Sequence, residues 1–164
     1  MSDPHLRAFA AKDAPQCCKV INTSAAGMEG LNAEALRFIL SKNIPEIVSQ
    51  ELSAIYTLVY EEQGVILGLG GLDGNEIKRV YVSPSVQGRG IGSVIVRALE
   101  REARSRNIAV LKIQSSPNAV PFYRKLGYRA ENEARAKIGN AEFHFTNMEY
   151  SSSGVNSSTR YSAG

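Results

Sequence analysis

The chain has no tryptophan, two cysteines and two histidines among its 164 residues. Each scarcity closes a class of function. Cys17 and Cys18 are adjacent, a spacing at which two side chains can hardly reach disulfide geometry. With His5 and His144 as the only histidines, the ligand set for a zinc-type centre is too small, so no metal is expected. No apolar stretch approaches the roughly 20 residues of a membrane span, and the first residues lack the apolar segment of a secretory signal. A soluble, cytoplasmic protein that does not engage a membrane is therefore expected. The net charge is a mild +3 without a basic stripe interleaved with aromatics, so nucleic acid is not an expected partner. What remains is an ordinary globular composition, long enough for one domain with a sizeable core. Residues 1–150 are expected to form that domain. Residues 151–164, rich in serine and without an apolar pattern, are expected to be a disordered tail.

Hydrophobic periodicity assigns the elements. Residues 6–10 read as a short strand. Asp13 is placed to cap a helix with Pro15 in its first turn. That helix runs to Gly27 with Val20, Ile21 and Ala25 inward, one of Cys17 and Cys18 filling core and the other partly exposed. Residues 33–41 and a shorter segment from Pro45 follow as helices. The period then changes to two: 54–61, 65–72 and 76–82 are expected strands, joined by turns at 61–64 and 73–75. Ile91, Val94, Ile95, Ala98 and Leu99 share one face of a helix ending near Asn107. Residues 109–113 form an apolar strand. Asn118 opens a short helix through Leu126, stopped by Gly127, and 128–136 and 141–150 close as a hairpin. Antiparallel hairpins followed by helical crossovers give a mixed, mostly antiparallel sheet flanked by helices, an α+β fold.

The most informative segment is Val80-Tyr81-Val82-Ser83-Pro84-Ser85-Val86-Gln87-Gly88-Arg89-Gly90-Ile91-Gly92. It reads as a strand, a proline stop, a glycine-rich turn and a helix start. The glycines leave backbone N–H groups uncovered, and the helix dipole adds about half a positive charge at the same spot. Such a turn suits a phosphate or pyrophosphate. No lysine follows it, which excludes a P-loop, and a G-x-G-x-x-G fingerprint read from Gly88 fails at Ser93. A nucleotide or NAD site is thereby disfavoured. What stands is Gln87-x-x-Gly90-x-Gly92, which resembles the acyl-CoA motif (Q/R)-x-x-G-x-(G/A) of the GNAT superfamily of N-acetyltransferases. Further on, Asn118-Ala119-Val120-Pro121-Phe122-Tyr123-Arg124-Lys125-Leu126-Gly127-Tyr128 resembles that family's second signature, N-x-x-A-x-x-F-Y-x-x-x-G-(F/Y), with a shorter gap after the asparagine. The resemblance covers roughly residues 54–150.

The resemblance implies the GNAT fold and an enzyme that moves the acetyl group of acetyl-CoA to a primary amine. The route would be direct attack, a tetrahedral intermediate and protonation of the departing CoA thiolate, with acetyl-CoA as co-substrate and no metal. Backbone groups of Gln87, Gly88, Arg89, Gly90, Ile91 and Gly92 would hold the pyrophosphate. Those of Val80, Tyr81 and Val82 would align the pantetheine arm, with the Val82 N–H polarising the thioester carbonyl. Tyr123 matches the family's acid: a phenol of pKa about 10 is protonated at neutral pH and can donate to a thiolate whose thiol has a pKa of about 8.5. Its plainer use is as a core wall beside Phe122. Asn118 is expected to contact the cofactor while capping its helix, and Arg89 to approach a CoA phosphate. Glu76 is the candidate general base, since strand alternation puts it on the side of Lys78, Val80 and Val82; otherwise it is a solvated strand-end charge. A catalytically silent acyl-CoA-binding or regulatory module of the same fold is the alternative reading. A small-molecule or peptide amine is the expected partner, and a homodimer is compatible with the family. Glu29, Glu34 and Glu46, offset by Arg37 and Lys42, leave the acceptor amine open.

Overall fold

The computed structural model describes residues 3–152. Its strands are β1 Leu6–Ala8, β2 Tyr56–Glu62, β3 Val65–Asp73, β4 Glu76–Val82, β5 Val110–Ser115, β6 Arg129–Ile138 and β7 Ala141–Ser151. They form one mixed sheet in the order β1-β2-β3-β4-β5-β7-β6. Every neighbouring pair is antiparallel except β4 with β5, which a helical crossover must join. The helices are α1 Ala14–Ala25, α2 Ala33–Lys42, α3 Pro45–Ser53, α4 Ile91–Ser105 and α5 Val120–Lys125, and α4 is that crossover. Among the described residues no helix is long and apolar enough to cross a membrane.

The sheet is covered on both faces, which is why β3 is buried through most of its length. On one face α4 lays Ile91, Ile95 and Leu99 against Leu58, Leu72, Ile77, Leu111 and Ile113. On the other, α1 and α3 bring Cys17, Cys18, Ile21, Val48 and Leu52 against Val59, Ile66 and Leu69. Both cysteines are buried, where one was expected to reach the surface. With α3 alongside and the sheet below, α1 has two covered sides, and neighbours 100° apart can both face inward.

Three local expectations change. Asp13 precedes α1 without capping it through its side chain. Its carboxylate instead takes the Arg7 guanidinium at 2.8 and 2.9 Å and the Ala10 N–H at 2.8 Å, and Arg7 holds it below the ordinary carboxylate range. Asn118 sits inside the 3₁₀ turn Pro117–Ala119 and does not cap α5. At the C-terminal end, Ser151 pairs with Val110 and the Ser152 N–H reaches the Ala109 carbonyl at 2.9 Å, so both belong to the sheet region. The rest of the tail expected to be disordered lies outside the described residues.

The decisive irregularity is in β4. Register runs from Leu72↔Ile77 and Gly71↔Lys78 to Leu69↔Tyr81, so β4 uses one residue more than β3 over that stretch. Arg79, at φ 61°, is the inserted residue of this bulge. One extra residue inverts the side-chain alternation. Ile77, Val80 and Val82 all pack toward the α4 core, while Tyr81 packs toward the α1 core. Glu76 is therefore on the opposite face from Val80 and Val82, contrary to simple alternation.

Glu100 on α4 is 2% exposed and accepts from the Tyr128 hydroxyl at 2.9 Å and from Arg97 at 2.8 Å. The Tyr128 ring meets Tyr123 edge-on at 5.7 Å, so this buried pair fixes the wall that carries Tyr123. Tyr128→Phe removes the neutral donor and leaves the carboxylate under-bonded. A loss of about 1–3 kcal/mol is expected in urea denaturation; a change within error would show that Arg97 alone satisfies Glu100.

Candidate active site

β4 and β5 pair at Glu76↔Lys112 and Ile77↔Ile113 and then part. A slot opens through the sheet between them. Its mouth on the α4 side is a cavity of about 450 Å³ lined by Val80, Val82, Gln87, Gly88, Gly90, Ile91, Gly92, Asn118, Phe122 and Tyr123. Its mouth on the α1 side, about 210 Å³, is lined by Ser24, Met28, Tyr81, Gln114 and Ser116, together with Val80, Val82, Gln87, Asn118 and Tyr123 again. The shared residues mark the throat.

The α4-side mouth is made largely of backbone. Gly88 and Gly90 turn the chain at φ 87° and 84°, where a side chain would be strained. Gly90 precedes α4 and its carbonyl takes the Val94 N–H at 3.1 Å. The N–H groups of the first helical turn, from Ile91 on, have no intrahelical acceptors, and the helix dipole adds to their pull on an anion. Val80, Val82 and Phe122 give the rest of the cavity an apolar wall. A diphosphate carrying a long amide-bearing arm fits this lining, with donors at one end and apolar surface along the other.

Val82 stands at the throat. The Ser83 N–H pairs with the Leu67 carbonyl at 2.8 Å, so by alternation the Val82 N–H points away from β3 and into the slot. The Val82 carbonyl accepts from Ser24 Oγ at 3.0 Å and from Gln87 Nε2 at 3.4 Å. Tyr123 is 6% exposed, held edge-on by Phe122 at 4.9 Å and by Tyr128. Burial, and then its neighbour Tyr81, push its phenol above the ordinary tyrosine range, so it stays protonated at neutral pH.

The remaining expected site residues are placed differently. Glu76 is on the α1-side face with Tyr81 but lines a neighbouring cavity with Lys112, Glu131, Asn147 and Glu149, next to the α1-side mouth, with which that cavity shares Gln114. Arg89 is engaged by the Glu62 carboxylate at 2.7 and 3.0 Å and is directed to the β2–β3 hairpin. Asn118 does reach the throat, but its Oδ1 accepts from the Glu29 N–H at 3.1 Å. Ser24, Met28, Gln114 and Ser116 carry no motif; they converge from α1, its following loop and the end of β5, and no local pattern could have announced them. Among the described residues no carboxylate lines the slot, and its two cations are each paired: Lys78 with Asp73 at 2.9 Å and Arg79 with Glu51. No group of three or more His, Cys, Asp or Glu residues able to hold a metal ion exists among the described residues.

A family model described as an acetyltransferase (GNAT) domain matches residues 26–152. An uncharacterized N-acetyltransferase of Bacillus subtilis, YjcF, is 32% identical over 102 residues, which is 58% of this chain and 73% of that protein. Among solved structures, a GCN5-related N-acetyltransferase from Rhodopseudomonas palustris has a TM-score of 0.84 at 28% identity, covering 92% of this chain and 97% of the other. The PaiA N-acetyltransferase of Thermoplasma acidophilum, solved in complex with coenzyme A, shares the fold at a TM-score of 0.70 and 18% identity, covering 89% of this chain and 97% of the other. The matched span contains the glycine turn, Tyr123 and all of the slot's lining named above but Ser24, and the chain belongs to the GNAT acetyltransferase family.

Proposed function

We propose that this protein transfers the acetyl group of acetyl-CoA to a primary amine within the slot. One observation carries the reading: a single throat joins a phosphate-binding helix mouth on the α4 side to a second, polar mouth on the α1 side, with Tyr123 at the junction. That some of the fold's members bind coenzyme A supports the choice of ligand. Bound acetyl-CoA supplies a thioester carbonyl open to attack by an amine. The backbone from Gln87 to Gly92 holds the pyrophosphate, and the free edge of Val80–Val82 aligns the arm. The Val82 N–H donates to the carbonyl oxygen, where negative charge develops. Tyr123 gives its proton to the sulfur. Because burial disfavours the phenolate, the same residue recovers that proton readily.

The amine enters from the α1 side, between Ser24, Met28, Tyr81 and Ser116. With no carboxylate among the described lining residues, it arrives neutral or gives its proton to water; Glu76 opens into the neighbouring cavity and is not assigned as base. The pH dependence follows. kcat/KM is expected to rise with pH according to the acceptor amine's own pKa. It should show no falling limb below about pH 10, since the acid's pKa is raised and its protonated form persists. A limb that falls near pH 8 for amines of different basicity would remove Tyr123 as the acid.

Release of CoA should be followed with glucosamine 6-phosphate, serotonin, spermidine, L-lysine and a peptide with a free N-terminus. Turnover of at least one is expected, and Tyr123→Phe should lower it by roughly 10²-fold or more while acetyl-CoA affinity stays within about two-fold. Unchanged turnover takes Tyr123 out of the chemistry. Thermal stabilisation by CoA with no release from any of these amines would identify an acyl-CoA-binding module.

A further inference from the structure

The loop between α1 and α2, residues 26–32, borders the α1-side mouth through Met28. Most of its anchorage is on β7. The Gly30 carbonyl takes the His144 N–H at 2.7 Å, and Leu31 bridges to Phe143. Asn32 Oδ1 accepts from the Glu142 N–H at 3.1 Å, and its Nδ2 donates to the Asn140 carbonyl at 2.9 Å. These bonds fix the far end of the loop. Toward the throat, the Glu29 N–H donates to Asn118 Oδ1 at 3.1 Å, and Gly30 sits so close to Pro117 that a Cβ there would lie 2.9 Å from its Cδ. The Gly27 and Met28 N–H groups bond to the Ser24 and Ala25 carbonyls at 3.1 Å, and beyond them the loop is held at Glu29 and Gly30 by the 3₁₀ turn that also borders the cofactor mouth.

Asn118 thus has one face on both mouths and its acceptor oxygen committed to the loop. We infer that Asn118 is a positioning residue for the acceptor amine: by holding the Glu29 N–H it sets the loop so that Met28 forms a fixed wall of the acceptor mouth. The inference rests on the reading that the α1-side mouth admits the amine. It differs from a cofactor-contact role in what it disturbs. Loss of the side-chain oxygen releases the Glu29 N–H and loosens the loop between its bonds to α1 and its anchors on β7, while the Gln87–Gly92 backbone and the Val80–Val82 edge remain as they were.

The test combines hydrogen exchange, calorimetry and kinetics on the full chain. In Asn118→Ala, amide exchange within residues 27–32, at the Glu29 N–H above all, should speed up roughly three- to ten-fold, the range of one neutral hydrogen bond. KM for whichever amine of the panel is turned over should rise by a similar factor, with acetyl-CoA Kd moving less than about two-fold and kcat much less than KM. Asn118→Asp keeps an acceptor oxygen and should restore slow exchange. Gly30→Ala provides an independent route: at φ 88° its methyl would lie 2.4 Å from the His144 carbonyl oxygen, so it should displace the loop and raise the same KM. A weakening of acetyl-CoA binding by more than about ten-fold in Asn118→Ala, with exchange of 27–32 unchanged, overturns the assignment in favour of a cofactor contact. If none of the amines is turned over, exchange with and without CoA and the acetyl-CoA titration still decide the role of Asn118, separately from the acetyl-transfer reading.

Discussion

Two parallel strands in a sheet ordinarily stay paired, because each backbone group that leaves the ladder must find another partner. In this protein β4 and β5 leave each other after Ile77↔Ile113. The Arg79 bulge adds a residue to β4 while it stays paired with β3, and the added twist carries the end of β4 away from β5. The slot, the free edge of Val80–Val82 and the exposure of the Val82 N–H all follow from that divergence. So does the position of α4: the crossover from β4 to β5 must start at the widened end, which brings its N-terminal amides to the mouth of the gap. A ligand that lies along the free edge completes the backbone pairing that β5 no longer supplies.

Charge around the slot is arranged so that little of it faces inward. Arg79 is taken by Glu51, Lys78 by Asp73 and Arg89 by Glu62, each pair partly exposed and therefore worth little to stability. Their effect is on the site. Withdrawing each cation toward a carboxylate leaves the helix N-terminus as the chief source of positive potential at the α4 mouth, a source aligned with backbone donors that can match a pyrophosphate. At the throat the neutral phenol of Tyr123 meets no charged partner among the described residues. In the proposed reaction such neutrality suits an acid that stays protonated until a thiolate forms, because a nearby cation would stabilise the phenolate prematurely.

The two mouths differ in how far they could be read from sequence. The cofactor side is built from backbone, and backbone that must turn at Gly88 and Gly90 and then open a helix leaves a local, contiguous pattern. The helices, the β2–β3 and β6–β7 hairpins and the Phe122-Tyr123 segment were legible for the same reason: each rests on periodicity or turn chemistry within a few residues. The bulge was not, since Arg79 is an ordinary residue for a strand and nothing in its neighbours marks an inserted position. From that one omission came the misplaced face of Glu76. The partners of Arg89 and Asn118, Glu62 and the Glu29 amide, are distant in sequence. Local reading sees the charge of the first and the capping propensity of the second, and both properties belong to surroundings that only the fold supplies.

The same contrast bears on how specificity can vary in this fold. In the proposed reaction the groups that grip a phosphate and polarise a carbonyl are amides, indifferent to side-chain identity except where a positive φ demands glycine. The proposed acceptor mouth instead draws Ser24 from α1, Met28 from the following loop, Gln114 from β5 and Ser116 from just past it. Met28, Gln114 and Ser116 can be exchanged without removing a bond to Val82, unlike Ser24, whose hydroxyl holds the Val82 carbonyl, so in the proposed reaction the acceptor can change while the chemistry is kept. The loop is then the natural place for such change, provided its geometry is fixed by something other than the residues being exchanged. Asn32, bonded to the Glu142 N–H and the Asn140 carbonyl, and Asn118 at the throat meet that condition. Asn118 holds the loop by its Glu29 N–H and Asn32 ties it to the backbone at Asn140 and Glu142, so in the proposed reaction the identity of Met28 stays free to set the shape that the amine meets.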